Sequence, residues 1–200
     1  MLLRKEGALA ILGITALALL IALLVLPDAI AEEPVHVFVR LFALYGYLFL
    51  SVATLTTPFL REVTQIFGKP FLAVHHAFSA LGIVLITLHP IFNAIQRVSL
   101  SVFIPNFASW YSFWLLAGRP AFIIIYVAVF AAFLRAKALN YWRPFHALMY
   151  VALLFGIVHG NLVGEDFLNP WIALIFDALF LLSIAGFAVK RYRAYINKRK

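Results

Sequence analysis

The 200-residue chain contains no cysteine. That absence excludes disulfides, iron–sulfur clusters and thiolate metal sites together. Charge is also scarce, at 12% of residues against about 25% in an ordinary soluble domain. Acids are scarcer still, 8 against 16 Lys and Arg. With 65% hydrophobic residues and a mean hydropathy of +1.01, the composition excludes a single water-soluble domain. No internal repeat, low-complexity linker or phosphate-cradling glycine motif is present, and the polar connections are too short to hold a soluble domain.

What the chain does have is long apolar runs. A membrane-spanning helix needs about 20 apolar residues. Six runs qualify: 8–26, 41–60, 71–92, 113–134, 145–163 and 168–189. The fourth is interrupted near its start by Arg119 and Pro120. The reading is an all-α, integral membrane six-helix bundle, one transmembrane domain over residues 1–200.

A net charge of +8 raises the question of nucleic acid, and its distribution answers no. With the N-terminus inside, 13 of the 16 basic residues fall on inner ends and loops, among them Arg61, Lys69, Arg135, Lys137, Arg143 and the 190–200 tail. Only Arg40, Arg97 and Arg119 fall outside. This positive-inside asymmetry predicts N-in, C-in topology, with the tail on anionic headgroups. Residues 1–31 also read as a signal peptide ending in Ala29-Ile30-Ala31. The 19-residue apolar run exceeds the roughly 7–15 residues of signal cores, so a retained span is expected.

Five of the six histidines lie in two spans: His75, His76 and His89 in the third, His146 and His159 in the fifth. His75 and His89 are 14 apart. That puts them about 21 Å apart along a helix and within about 40° of one direction. His76 and His89 diverge by about 140°, which favours His75 as the partner of His89. Gly82 lies midway between them and would admit something flat or bulky. His146 and His159 are 13 apart, with imperfect facing that a tilt or a π-bulge would correct. Both spans run from inside to outside. They therefore offer two histidine pairs, His75 with His146 and His89 with His159, one above the other.

Buried imidazole is costly unless satisfied. Zinc wants about four convergent ligands, and each level supplies two. Haem takes two axial imidazoles, and its apolar ring suits the space between helices. Two b-type haems held between the third and fifth helices account for both spacings. Covalent attachment is excluded by the missing cysteines. The plainer alternative is a set of membrane histidines satisfied by neighbouring helices. His89 precedes Pro90, which predicts a kink there.

The two histidines 14 apart in the third span, the two 13 apart in the fifth, and the series Trp142, His146, Tyr150 and His159 resemble the ferric reductase-like transmembrane domain. That family includes the membrane parts of ferric reductases and NADPH oxidases. It also includes the haem-binding membrane subunit of the periplasmic methionine-sulfoxide reductase system. The resemblance covers about residues 40–190. It implies an inner haem on His75 and His146 and an outer haem on His89 and His159. The doubled His75-His76 departs from the commonest pattern. Eleven residues follow the sixth span, with no flavin or nicotinamide domain among them.

These readings predict a transmembrane electron carrier in the plasma (inner) membrane. Its donor would be a separate flavoprotein (a flavin reductase) or a membrane quinol, and its acceptor an extracytoplasmic protein or metal ion. A membrane enzyme reducing metal ions or oxygen is a second reading. A haem-free transporter or scaffold with metal- or proton-binding histidines is a third. Arg135, Lys137 and Arg143 inside, and Arg97 and Arg119 outside, are candidate partners for haem propionates. Asp177, in mid-span, is a candidate for proton uptake, quinone binding or a structural bond to another helix. Asp28, Glu32, Glu33, His36, Glu165 and Asp166 form a sparse outer acidic rim, expected to be a solvated loop face, with attraction of cationic or metal acceptors as the other reading.

Overall fold

A computed structural model describes residues 4–29, 32–137 and 141–197. Among them no strand occurs, and six helices are long and apolar enough to cross a membrane. The protein is a multi-pass helical membrane protein. The Ala29-Ile30-Ala31 motif lies partly outside the described residues. Lys198, Arg199, Lys200 and the side chain of Asp28 lie outside them altogether.

The helices are α1 (Lys5–Ala29), α2 (Pro34–Thr56), α3 (Leu60–Phe67), α4 (Phe71–Arg97), α5 (Trp110–Leu115), α6 (Gly118–Phe133), α7 (Trp142–His146), α8 (Met149–Val163) and α9 (Pro170–Asn197). Apolar residues surround α1, α4, α6 and α9, and Leu9, Leu23, Phe130 and Leu181 are exposed. A helix apolar all round belongs in lipid or in a large core.

The element at the centre is α2, half of whose apolar window is buried. It packs on α4 through two glycines. A Cβ on Gly46 would meet the backbone N of Ile86 at 2.7 Å, and one on Gly82 would meet the backbone N of Leu50 at 2.9 Å. Small residues let membrane helices approach this closely. Gly82 therefore admits a helix, not the flat ligand the spacing suggested. On the other side of α2, Leu44, Leu48, Ile125, Leu153, Ile172 and Phe176 form one core.

Both chain ends meet α3. Arg4 donates to the carbonyl of Gln65 at 3.0 Å, and Arg193 reaches Glu62 and the carbonyl of Pro58, each at 3.1 Å. We call this the terminal face. On α3, Val63 and Phe67 pack inward while Arg61 and Gln65 are exposed, the pattern of a helix lying in the membrane interface. Gly68 ends it in the left-handed region at φ 63°.

Several span boundaries differ from the sequence reading. The second helix starts at Pro34 and ends at Thr56, because Pro34 suits a first helical turn and Pro58 has no N–H to continue the ladder. The fourth run divides into α5 and α6, and Pro120 falls in the first turn of α6, where its missing N–H costs nothing. The third span, α4, continues through buried Pro90 to Arg97, so His89 stays helical. The fifth run breaks between α7 and α8 at Ala147–Leu148.

Candidate functional site

The break before α8 bears on the histidines. Leu148 N–H bonds to Phe145 O at 3.1 Å, and Tyr150 N–H to Ala147 O at 3.1 Å. These are tight three-residue turns. Each residue wound at about 120° instead of about 100° adds about 20° to the path between His146 and His159. The 13-step path falls short of a common direction, so the extra winding brings the rings nearer one face. Among the described residues the path carries this overwinding and no π-bulge.

The imidazoles fall into two groups. At the terminal-face level the rings of His75 and His146 lie 6.3 Å apart, with their planes at 77°. Two imidazoles sharing one metal ion through nitrogens at about 2 Å have ring centres about 6 Å apart. Phe71 stacks on His75 at 5.4 Å, and Trp142 lies 6.1 Å from His146. His76 is exposed, its ring 6.0 Å from that of His75. At the opposite level His89 and His159 line one cavity of about 480 Å³, within the roughly 300–1,000 Å³ usual for cofactor sites. Its wall is largely apolar, with Leu44, Tyr47, Ile86, Ile125, Leu153 and Phe176.

All four of these histidines are held in the same way. Nδ1 of His75 lies 3.0 Å from Ala53 O, and Nδ1 of His89 lies 2.9 Å from Val39 O, both carbonyls of α2. Nδ1 of His146 lies 3.0 Å from Ala128 O of α6, and Nδ1 of His159 lies 2.8 Å from Leu115 O of α5. A carbonyl only accepts, so each Nδ1 carries the proton and each Nε2 keeps its lone pair. Fixing the far nitrogen on a carbonyl is how metal-ligating histidines are oriented. Among the described residues the Nε2 atoms of His89, His146 and His159 meet no hydrogen-bond partner. That of His75 has Ser79 Oγ at a long 3.4 Å. The donor set fits a bis-imidazole haem at each level, joined by the ring spacing on the terminal face and by the apolar cavity at the opposite level.

Gly118 is part of the opposite-level pair. A Cβ there would stand 2.7 Å from Cδ2 and 2.9 Å from Nε2 of His159. Arg97 and Arg119 line the same cavity and have no carboxylate partner among the described residues. Arg97 donates to Asn93 and Arg119 to the carbonyl of Ile104, both at 2.8 Å. On the terminal face Arg143 lies over the Trp142 ring, and Lys190 stands within electrostatic reach of both His75 and Arg143.

Asp177 accepts a 3.0 Å hydrogen bond from Asn161 of α8, which ties α8 to α9. The acidic rim is not all solvated. Asp166 is 8% exposed and takes Nε and Nη2 of Arg40, itself 9% exposed, while Glu32 binds Nη1 of Arg40. No local pattern marks this triad, whose acids lie 8 before and 126 after the arginine. Nor does a sequence show carbonyl acceptors.

These features define a multi-pass helical membrane protein with four carbonyl-held histidines in two groups at different depths. No protein-family model, curated protein or solved structure matches the chain.

Proposed function

We propose that the chain carries electrons across a membrane on two b-type haems, one held by His75 and His146 and the other by His89 and His159. One observation carries the reading: four histidines on two spans each fix Nδ1 on a carbonyl of another helix, with the rings of His75 and His146 6.3 Å apart and His89 and His159 lining one cavity. Bound haem supplies a one-electron ferric/ferrous couple at each level.

The chain's own residues orient, insulate and neutralise. The carbonyls of Ala53, Val39, Ala128 and Leu115 hold the tautomer and raise the basicity of each ligand nitrogen. The apolar wall keeps water from the opposite-level site. Arg97 and Arg119 offset two propionate charges there, and Lys190 with Arg143 does so at the terminal level. No side chain transfers a proton in the redox step. With the basic terminal face in the cytoplasm, electrons enter there from a separate flavoprotein or quinol. They leave on the other side to a protein or metal-ion acceptor.

Sealed vesicles containing the protein test this, with dithionite enclosed and ferricyanide outside. Ferricyanide is expected to be reduced faster than in protein-free vesicles, and His89→Ala is expected to remove the increment. Equal rates with and without the protein would sink the carrier reading.

A further inference from the structure

We propose that Glu32, His36 and Glu165 bind one divalent zinc-class cation at the mouth of the opposite-level cavity. One ligand atom from each of the three lies within 4.8 Å of the other two. His36 Nδ1 is 3.3 Å from Glu32 Oε2, and its Nε2 is 3.6 Å from Glu165 Oε2. A neutral imidazole carries one N–H. Whichever tautomer forms, one ring nitrogen leaves a lone pair beside a carboxylate oxygen. A bound cation removes that repulsion, and a second proton on the ring is the alternative that the test below separates.

Two further observations point to a cation. Glu32 Oε2 is fully buried and accepts no hydrogen bond, a costly state for a carboxylate oxygen. The local charge is also unbalanced. Glu32, Asp166 and Glu165 bring three negative charges, and Arg40, held by Asp166 and Glu32, brings one positive charge. Two negative charges remain, the number a divalent ion neutralises. An imidazole with two carboxylates suits a zinc-class ion better than magnesium or calcium, which prefer oxygen alone.

The geometry needs little change. Tetrahedral ligands at about 2 Å from an ion stand about 3.4 Å from one another. Closing from 4.8 Å asks for about an ångström of movement, which the 62% exposed Glu165 side chain can make. Water completes the shell. His36 belongs to the first turn of α2, and Glu165 to the 3₁₀ turn Glu165–Leu168 before α9, so the ion would pin these segments beside the cavity that both residues line. This site stands or falls independently of haem.

The test uses the full-length, tag-free protein in detergent. Zinc is titrated calorimetrically, and bound zinc per chain is counted after dialysis. One zinc per chain is expected. Glu165→Gln and His36→Gln should each weaken binding by more than the roughly 10- to 100-fold that loss of an outer hydrogen-bond partner costs. Glu33→Gln, at an exposed neighbour, should bind like the parent. Zinc should also raise the thermal midpoint of the parent and of Glu33→Gln, and leave Glu165→Gln unmoved, so a folding defect in His36→Gln cannot mimic the result. No zinc uptake, or uptake unchanged in Glu165→Gln and His36→Gln, would overturn the site and leave a protonated His36 bridging the two carboxylates.

Discussion

Replacing His89 or His159 with alanine is expected to lower the haem content from about two to about one per chain, leaving the His75–His146 pair loaded. Replacing His75 or His146 should do the converse. The reason is geometric. The two pairs are separated by about 21 Å of helix, and each is oriented by its own carbonyls, so loss of one imidazole strips one level only. Gly118→Ala should act as a milder form of His159→Ala. Its methyl group would stand 2.7 Å from Cδ2 of that ring and push it off line without removing it. Haem per chain by the pyridine haemochrome method, with size-exclusion profiles to check folding, reads all of these. A well-folded His89→Ala protein that keeps both haems, or loses both, would break the pairing described above.

The largest stability effect is expected at Asp166. Arg40 and Asp166 are 9% and 8% exposed, and Asp166 takes two of the guanidinium's nitrogens. Removing one partner of a buried pair leaves an uncompensated charge and costs about 3–5 kcal/mol. Glu32 stays on Nη1, which places Asp166→Ala near the lower end of that range. In a chain of this size the loss lowers the thermal midpoint by about 10 °C. The double variant Arg40→Met with Asp166→Leu should recover most of the drop, because it removes both charges and keeps apolar volume. A single variant within about a degree of the parent would show that the pair does not hold α2 to the turn before α9.

The helical, membrane-spanning character was legible because it follows from composition and run length alone. So was the division of the histidines into two levels, since spacing along a helix converts directly to depth. What escaped the sequence depends on contacts between segments. Gly82 sat on the expected face, yet its space is taken by Leu50 of α2, a neighbour no helical periodicity could name. The path from His146 to His159 passes a tight turn at Ala147–Leu148 in a run that reads as uninterrupted helix. Asp166 looked like a loop acid because its cation lies 126 residues away. Arg40 fell before the expected start of the second span, since the apolar count begins at Leu41 while the helix begins at Pro34. Local chemistry, such as Pro120 in a first turn or Gly68 at a helix end, is decided by near neighbours and is correspondingly easier to read.

The decisive measurement is the absorption spectrum of the purified protein, oxidised and dithionite-reduced, with haem counted per chain after expression with ample haem. Two low-spin b-type haems per chain are expected, about one for each histidine pair. A folded protein with no visible absorption would contradict the electron-carrier reading and leave the four carbonyl-held histidines to bind other metals or to relay protons.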